Sequence, residues 1–348
     1  MRNTIHIIIL YMILLFSACD VHEFPHIPEK EAVNIRLKYD TSITEWLHDY
    51  SEGSVIEVGT GDTYEDEVEY GYIRYIVRAY PTTGVLRASR SHTDEVVLTK
   101  DIKSGYDQDV MFTLPDGNYD IMVWSDFTES TSSIPYYEAG NFAEIMLQSQ
   151  HVGSTNFRDA YRGVSNCELV IDAIKNDPLT IDVNMQRPLA KYEFIATDLK
   201  EFIDKEYKLL LEEALSRGEE PQSRVETNDY KVVFYYEGHM AYIYNMFADK
   251  PIDAKKGVSY ESKINTLNEN EASIGFDHVF VNGNKSAIEV KIGIYNKNGK
   301  QIAMSSTIKV PLLRGKKTII KGSFLMEEAS GGIKIDSDFD GENNVVIK

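Results

Sequence analysis

From Val33 to Asp40 every second residue is apolar: Val33, Ile35, Leu37 and Tyr39 alternate with Asn34, Arg36, Lys38 and Asp40. A period of two sends successive side chains to opposite faces of a strand, and a helix of 3.6 residues per turn cannot gather such a set on one side. The alternation returns around Ile73, Tyr75, Val77 and Ala79, and around Val110, Phe112 and Leu114, after which Pro115-Asp116-Gly117 supplies a turn into Tyr119, Ile121 and Val123. Ile288, Val290, Ile292 and Ile294 then lead into Asn298-Gly299 and out through Ile302, Met304, Ser306 and Ile308. An Asn-Gly pair between alternating runs predicts a hairpin with a type I′ turn. One segment breaks the period: Leu199, Phe202, Ile203, Leu210 and Ala214 recur at helical spacing over about 199–217, with Asp198 placed to cap, Glu201 in the capping-box position and Gly218 placed to close. The expected class is all-β with one accessory helix.

At roughly 100 to 200 residues per domain, the 348 residues suggest two domains. A boundary is expected between Asp177-Pro178 and Arg187-Pro188, where a strand can bend at Pro188 and pass from one sheet system to the next. The N-terminal unit is then 32–186, including a Gly/Ser/Asn-containing loop region from Ser130 to Gly163, and the C-terminal unit 187–348.

Residues 1–18 read as an export signal, with Arg2 ahead of an apolar run from Ile5 to Phe16 that is too short for a permanent membrane helix. Ser17-Ala18-Cys19 resembles the lipobox of bacterial lipoproteins, which implies lipidation at Cys19 and a tether over 19–31; Phe16 stands where Leu is usual. The alternative is a plain secretory peptide in which Cys19 is a bystander. With 36 Lys plus Arg against 55 Asp plus Glu, the formal charge of −19 argues against nucleic acid as a partner, because affinity for phosphates rests on basic side chains.

The motifs of common catalytic sites are missing: no Gly-x-Ser-x-Gly, Walker A, His-Glu-x-x-His or Rossmann glycine pattern occurs. The eight His are scattered, and Cys167 reads as a small core residue rather than a nucleophile. Asp336, Asp338, Asp340 and Gly341 match the start of a calcium loop, but Ile347 stands where the bidentate Glu belongs, so an acidic turn is the better reading. No catalytic residue, cofactor or metal is expected. From Asp40 to Tyr70 the chain is rich in Asp and Glu, with no Lys or Arg between Lys38 and Arg74; it reads as a solvated acidic loop, or else as a surface for a basic partner.

The order of several short pieces resembles the fimbrillin-type lipoproteins of Bacteroides and Porphyromonas relatives, in particular the fimbrial anchor family that includes the minor-fimbrium anchor subunit. These pieces are Ser17-Ala18-Cys19, the strand Val33 to Tyr39, Leu114 to Tyr119 with Val123 to Asp126, Phe157 to Gly163, Arg187 to Phe194, Pro311 to Lys316 and Phe339 to Gly341. The resemblance implies two tandem transthyretin-like β-sandwiches, fimbrial subunits as partners, attachment to the outer membrane through lipid, and a non-catalytic role in anchoring or assembling a pilus by strand addition. Stalk subunits of that kind are cut after a basic residue just past the first strand. The basic-free interval from Tyr39 to Ile73 offers no such cut, which favours an anchor whose first strand stays in place.

Two other classes stay open. A glycan- or protein-binding surface lipoprotein would display Trp46, Trp124, Tyr136 or Tyr137 in one patch. A secreted hydrolase would need a cleft with convergent carboxylates or a perturbed His. Ile333 to Lys348 reads as two closing strands or, in an anchor, as the segment offered to the next subunit.

Overall fold

The computed structural model describes residues 29–49, 56–170, 178–220 and 223–326. Its first strands are β1 (Lys30–Tyr39), β2 (Ser42–Asp49), β3 (Ile56–Glu65), β4 (Tyr72–Pro81) and β5 (Asp94–Asp101), with a short helix α1 (Gly84–Ala88) between the last two. β6 (Gln108–Pro115), β7 (Gly117–Thr128), β8 (Tyr137–Glu138), β9 (Ile145–Leu147), β10 (Ala160–Leu169) and β11 (Leu179–Met185) follow. Next come β12 (Leu189–Ala196), helix α2 (Leu199–Arg217), β13 (Tyr230–Tyr236), β14 (Met240–Asn245), β15 (Lys250–Lys255), β16 (Ser259–Ser262), β17 (Asn265–Thr266) and β18 (Ala272–Phe280). The last are β19 (Lys285–Asn296), β20 (Gln301–Met304), β21 (Ile308–Leu313) and β22 (Lys316–Gly322). The expected class is found: two β-sandwiches with an accessory helix, to which α1 adds one turn that the sequence pattern does not signal.

The first sandwich packs a three-stranded sheet, β11-β1-β6, against a four-stranded one, β10-β7-β4-β5. The inward residues of both sheets are the alternating apolar sets read from the sequence: Val33, Ile35 and Leu37 meet Tyr75, Val77, Ile121 and Val123 in one cluster, with Cys167 buried among them. β10 passes so close to β11 that a Cβ on Gly163 would lie 2.5 Å from Val183 Cγ1 and 2.6 Å from Met185 Sδ. Glycine is required there by space.

The second sandwich packs the sheet β17-β18-β12-β22-β2-β3 against β16-β13-β19-β20, with β21 also pairing β19. The chain crosses from β11 in one sandwich to β12 in the other through Gln186-Arg187-Pro188, the bend that the Arg-Pro pair suggests. Two pieces that precede residue 187 pair with strands that follow it. β2 runs parallel to β22, Thr44 facing Lys316 and Asp49 facing Lys321, and carries β3 on its other edge. β9 pairs with β14, so the expected loop region from Ser130 to Gly163 contributes β8 and β9 to a four-stranded sheet that straddles both halves.

Among the described residues, much of the acidic stretch is strand, in β2 and β3, rather than loop. Its counter-ions lie elsewhere in the chain: Lys317 Nζ is 3.1 Å from Glu45 Oε1, and Lys191 Nζ is 3.0 Å from Asp66 Oδ1. A run without local basic residues pairs with lysines of β12 and β22 once the sheet forms.

Helix α2 begins and ends where its spacing predicts, and Gly218 closes it in the left-handed conformation with its N–H on Ala214 and Leu215 carbonyls. Asp198 does not cap it. Its carboxylate instead accepts from the backbone N–H groups of Leu325 (3.1 Å) and Met326 (3.0 Å), tying down the end of the described chain. The Asn298-Gly299 hairpin forms with a different turn from the one expected: Gly299 alone has positive φ (+76°), its N–H donates to Asn296 O, and Asn296 N–H donates to Lys300 O at 3.0 Å. That is a type I turn with a glycine bulge. A second irregularity follows it: Tyr295 faces Gln301 but Ile294 faces Ala303, so Ile302 is an extra residue, Ala303 is buried and Met304, opposite Gly293, lies on the other face, and Ser305, whose Oγ accepts from Ile292 N–H, separates β20 from β21.

Candidate functional site

β1 is the centre of its sheet. It pairs in parallel with β11 from Val33↔Leu179 to Tyr39↔Met185 and antiparallel with β6 from Lys30↔Pro115 to Leu37↔Gln108, so both of its edges are hydrogen-bonded. Val33, Ile35 and Leu37 are 0% exposed, each burial stabilising by about 1.5–3 kcal/mol. Across the outer face Arg36 reaches Asp109 at 3.6 Å and Asp182 at 3.9 Å. The strand ends on Tyr39, whose hydroxyl donates to Ser125 Oγ of β7 at 2.8 Å and whose ring meets Tyr75, Tyr106 and Tyr161 edge-on. Burial, then the neighbouring Tyr75, pushes this phenol well above its usual range.

Immediately beyond lies the seam between the sandwiches. Arg187 is buried with its plane used on all sides: Nε donates to Asp159 Oδ2 at 2.8 Å, Nη1 to the carbonyls of Thr41 and Ser42 at 3.1 Å, and Nη2 to Asp66 O. The guanidinium also stacks on Tyr161, 4.8 Å from the ring centre. One side chain thus fixes the β1–β2 corner, the end of β3 and the β10 entry against the crossover. A pocket of about 320 Å³ opens beside it, with Asp40, Arg187, Arg314 and Lys316 among its walls.

A second cluster lies deeper. Arg158 contacts Asp277 Oδ1 and donates to His278 O at 3.1 Å; His151 Nε2 lies 2.7 Å from Asp277 Oδ2, and Tyr236 OH donates to the same oxygen at 2.6 Å. Burial alone would raise the Asp277 carboxyl, but Arg158 and then His151 hold it well below the usual carboxylate range. Burial, followed by the charge of Arg158, lowers the His151 imidazole; burial and then Lys191 lower His278 further, and His278 Nδ1 is without a hydrogen-bond partner. This His–Asp pair, joining residues 126 positions apart, is illegible in a sequence where the His are scattered. The Asp277 carboxylate is sealed from solvent while the His151 side chain is 9% exposed, and among the described residues no hydroxyl or thiol hydrogen-bonds to His151. The arrangement clamps the seam.

Of the aromatic residues expected in a surface patch, Trp124 and Tyr137 are buried, Trp124 Nε1 donating to Asp126 Oδ2 at 3.0 Å and Tyr137 OH to Arg158 O. Tyr136 is half-buried, and the side chain of Trp46 lies outside what the structure describes. Trp124 and Tyr137 therefore belong to the core. Cys19, the tether up to residue 28, the acidic turn from Asp336 to Gly341 and the segment Ile333 to Lys348 all lie outside the described residues, while Lys30 and Glu31, expected in the tether, already pair in β1. Among the described residues, no group of three His, Cys, Asp or Glu is placed to hold a metal ion, and no helix is long and apolar enough to cross a membrane.

Fold and seam define an all-β protein of two sandwiches joined by shared sheets and buried ion pairs. The chain belongs, over residues 28–348, to the family described as "Family of unknown function (DUF6562)". Similar solved structures include the Porphyromonas gingivalis fimbrial anchor protein Mfa2 (12% identity, 76% of this chain and 81% of that one, TM-score 0.36). They also include the tip fimbrial protein Mfa3 of the same organism, with C-terminal truncation (11%, 80% and 81%, TM-score 0.33), and a proposed cell adhesion protein from Bacteroides eggerthii (12%, 89% and 93%, TM-score 0.44). No curated protein matches this chain.

Proposed function

We propose that this protein is a lipid-anchored, non-catalytic component of the outer-membrane surface, which holds or helps assemble a fimbria through strand-mediated contact with fimbrial subunits. The observation that carries the reading is the combination of β1 at the centre of its sheet with a following stretch, 39–73, that has no Lys or Arg. A strand bonded on both edges and not followed by a basic cleavage point stays with its own sandwich, and its N-terminal side leads back towards Cys19. In this reading Cys19 carries the lipid and the residues between it and β1 form the tether. The contact for the next subunit is provided by Ile333 to Lys348.

Fractionation of cells and N-terminal analysis of the purified protein test it together. Lipidated protein beginning at Cys19 is expected in the membrane fraction, with Cys19→Ala moving it to the soluble fraction. A mature chain that begins within or beyond 40–70 would remove the basis of the anchor reading.

A further inference from the structure

Lys191 projects from β12 into the seam and is only 6% exposed. Its Nζ donates to Asp66 Oδ1 at 3.0 Å and Oδ2 at 3.2 Å, and to the side-chain carbonyl Oδ1 of Asn156 at 3.1 Å. The ring of Phe276 closes a further side, its centre 5.1 Å from the same nitrogen. Lys317, which faces Lys191 across the β12–β22 pair, reaches the carboxylates of Glu45 and Glu193. What sets Lys191 apart is that a neutral carboxamide, as well as a carboxylate, lies against its amine.

An amine, a carboxamide and a carboxylate held together in a mostly dry site are the parts of an amide exchange. Asn156 Oδ1 is one bond of about 1.2 Å from Cγ, so a small side-chain rotation brings Nζ against that carbon. Separate elements fix the three groups. Asp66 follows β3, its backbone N–H donating to Thr41 O and its carbonyl accepting from Arg187 Nη2. Asn156 opens the short turn 156–158, whose Arg158 is held by Asp277. Reacting groups positioned in advance escape most of the entropy cost of meeting, and burial keeps water, the competing nucleophile, away. The carboxylate of Asp66 is a poor electrophile because it is charged; the carboxamide carries no charge.

We propose that Lys191 and Asn156 become joined by a self-formed amide bond, with Asp66 as the proton carrier. Asp66 takes a proton from the Lys191 ammonium, and the freed amine attacks Cγ of Asn156. The Nζ–Cγ bond forms and the Cγ–Nδ2 bond breaks. The two protons lost from Nζ, carried by Asp66, turn the departing nitrogen into ammonium, and the carboxylate is restored. No oxidant, cofactor or second substrate is consumed. Burial would raise the Asp66 carboxyl, but Lys191, first among its neighbours, holds it below the usual carboxylate range, so the ion pair is the resting state. The free amine is then brief and the reaction slow, which suffices for an event that occurs once per chain. The product replaces a buried ammonium by a neutral amide whose N–H still faces Asp66. It ties the turn at 156–158, before the crossover, to β12, after it. This assignment is independent of the anchoring reading, since it involves neither Cys19 nor β1.

Peptide mass spectrometry of the full-length protein, purified and held folded at pH 7.5 for several days, tests it. The expected product is a branched peptide joining residues 156 and 191, lighter than its two arms by one ammonia. It should be absent from chain kept unfolded in urea, and from Lys191→Arg, which keeps a cation for Asp66 but lacks the amine. Asp66→Ala should slow the linkage by about a hundredfold or more, with thermal melting confirming that the variant is folded. Four outcomes overturn the proposal: no branched peptide in the folded wild type, a branch lighter by one water and so formed on a carboxyl, equal linkage in urea, or linkage in folded Asp66→Ala as fast as in wild type. The first three decide the matter even where Asp66→Ala does not fold.

Discussion

Asp277 gathers Arg158, His151 and Tyr236 around one carboxylate that solvent does not reach. Removing its charge orphans a buried guanidinium, so Asp277→Asn is expected to lower unfolding stability by about 3–5 kcal/mol, read from urea denaturation at pH 7.5. The same cluster makes stability depend on pH. The unfolded chain protonates its imidazoles near pH 6.5, whereas burial keeps His151 and His278 neutral to lower pH in the folded chain. Acid therefore favours the unfolded state, and stability contributed by the two neutral imidazoles is lost as pH falls below about 6.5; that of Asp277 follows below about 4. Asp126 and Asp198, whose carboxyls burial raises, act in the opposite sense. The comparison of wild type with His278→Gln isolates the effect: the fall in urea midpoint between pH 7.5 and 5 should be smaller in the variant. The Asp277 cluster was not legible in the sequence, because Asp277 lies 119 positions from Arg158 and 126 from His151. Asp198 shows the converse. Its position before an amphipathic run fitted a helix cap, yet two N–H groups from Leu325 and Met326 compete for the same carboxylate and win.

Strands whose apolar set alternates over five or more residues were legible almost to their ends: β1, β4, β6, β7 and the first half of β19. Their period alone decides which face is buried, and nothing distant can reverse it without burying charge. Reading failed where register is set by a bulge rather than by pattern. In β20 the extra residue Ile302 flips the phase, so Met304 leaves the core and lies opposite Gly293 on the outer face. β2 and β3 were missed because their acidic composition reads as solvated until β22 supplies the lysines. The central place of β1 makes a sharp prediction at this scale. Ile35→Ala deletes a fully buried side chain between two hydrogen-bonded neighbours, where the sheet cannot collapse on the cavity, and should lower stability by about 2–5 kcal/mol. Chemical denaturation followed by tyrosine fluorescence checks it, and a loss under 1 kcal/mol would mean that β1 is less tightly seated than its burial indicates.

At the scale of the whole molecule, the two sandwiches are less separable than their sequence order suggests. β2 and β3 complete a sheet whose other strands follow residue 187, β8 and β9 do the same for β14 and β15, and Asp277 binds groups from both sides of that point, Arg158 and His151 before it and Tyr236 after it. A chain cut between 186 and 187 leaves β22 with an open edge, Lys317 and Lys191 without Glu45 and Asp66, and Asp277 without Arg158 and His151. Lys317 keeps Glu193 at 2.7 Å, but Lys191 and Asp277 are buried charges that lose their ion-pair partners, which costs more than the loop entropy that division would release. Unfolding should therefore be cooperative across the seam. Calorimetry of the chain 29–348 is expected to show a single transition, and residues 187–348 expressed alone should melt well below it or remain unfolded. Adding residues 29–186 in trans should restore the missing strands and raise that melting temperature. Two separate transitions in the intact chain, or a fragment as stable as the parent, would show that the shared sheets and buried pairs do not couple the sandwiches.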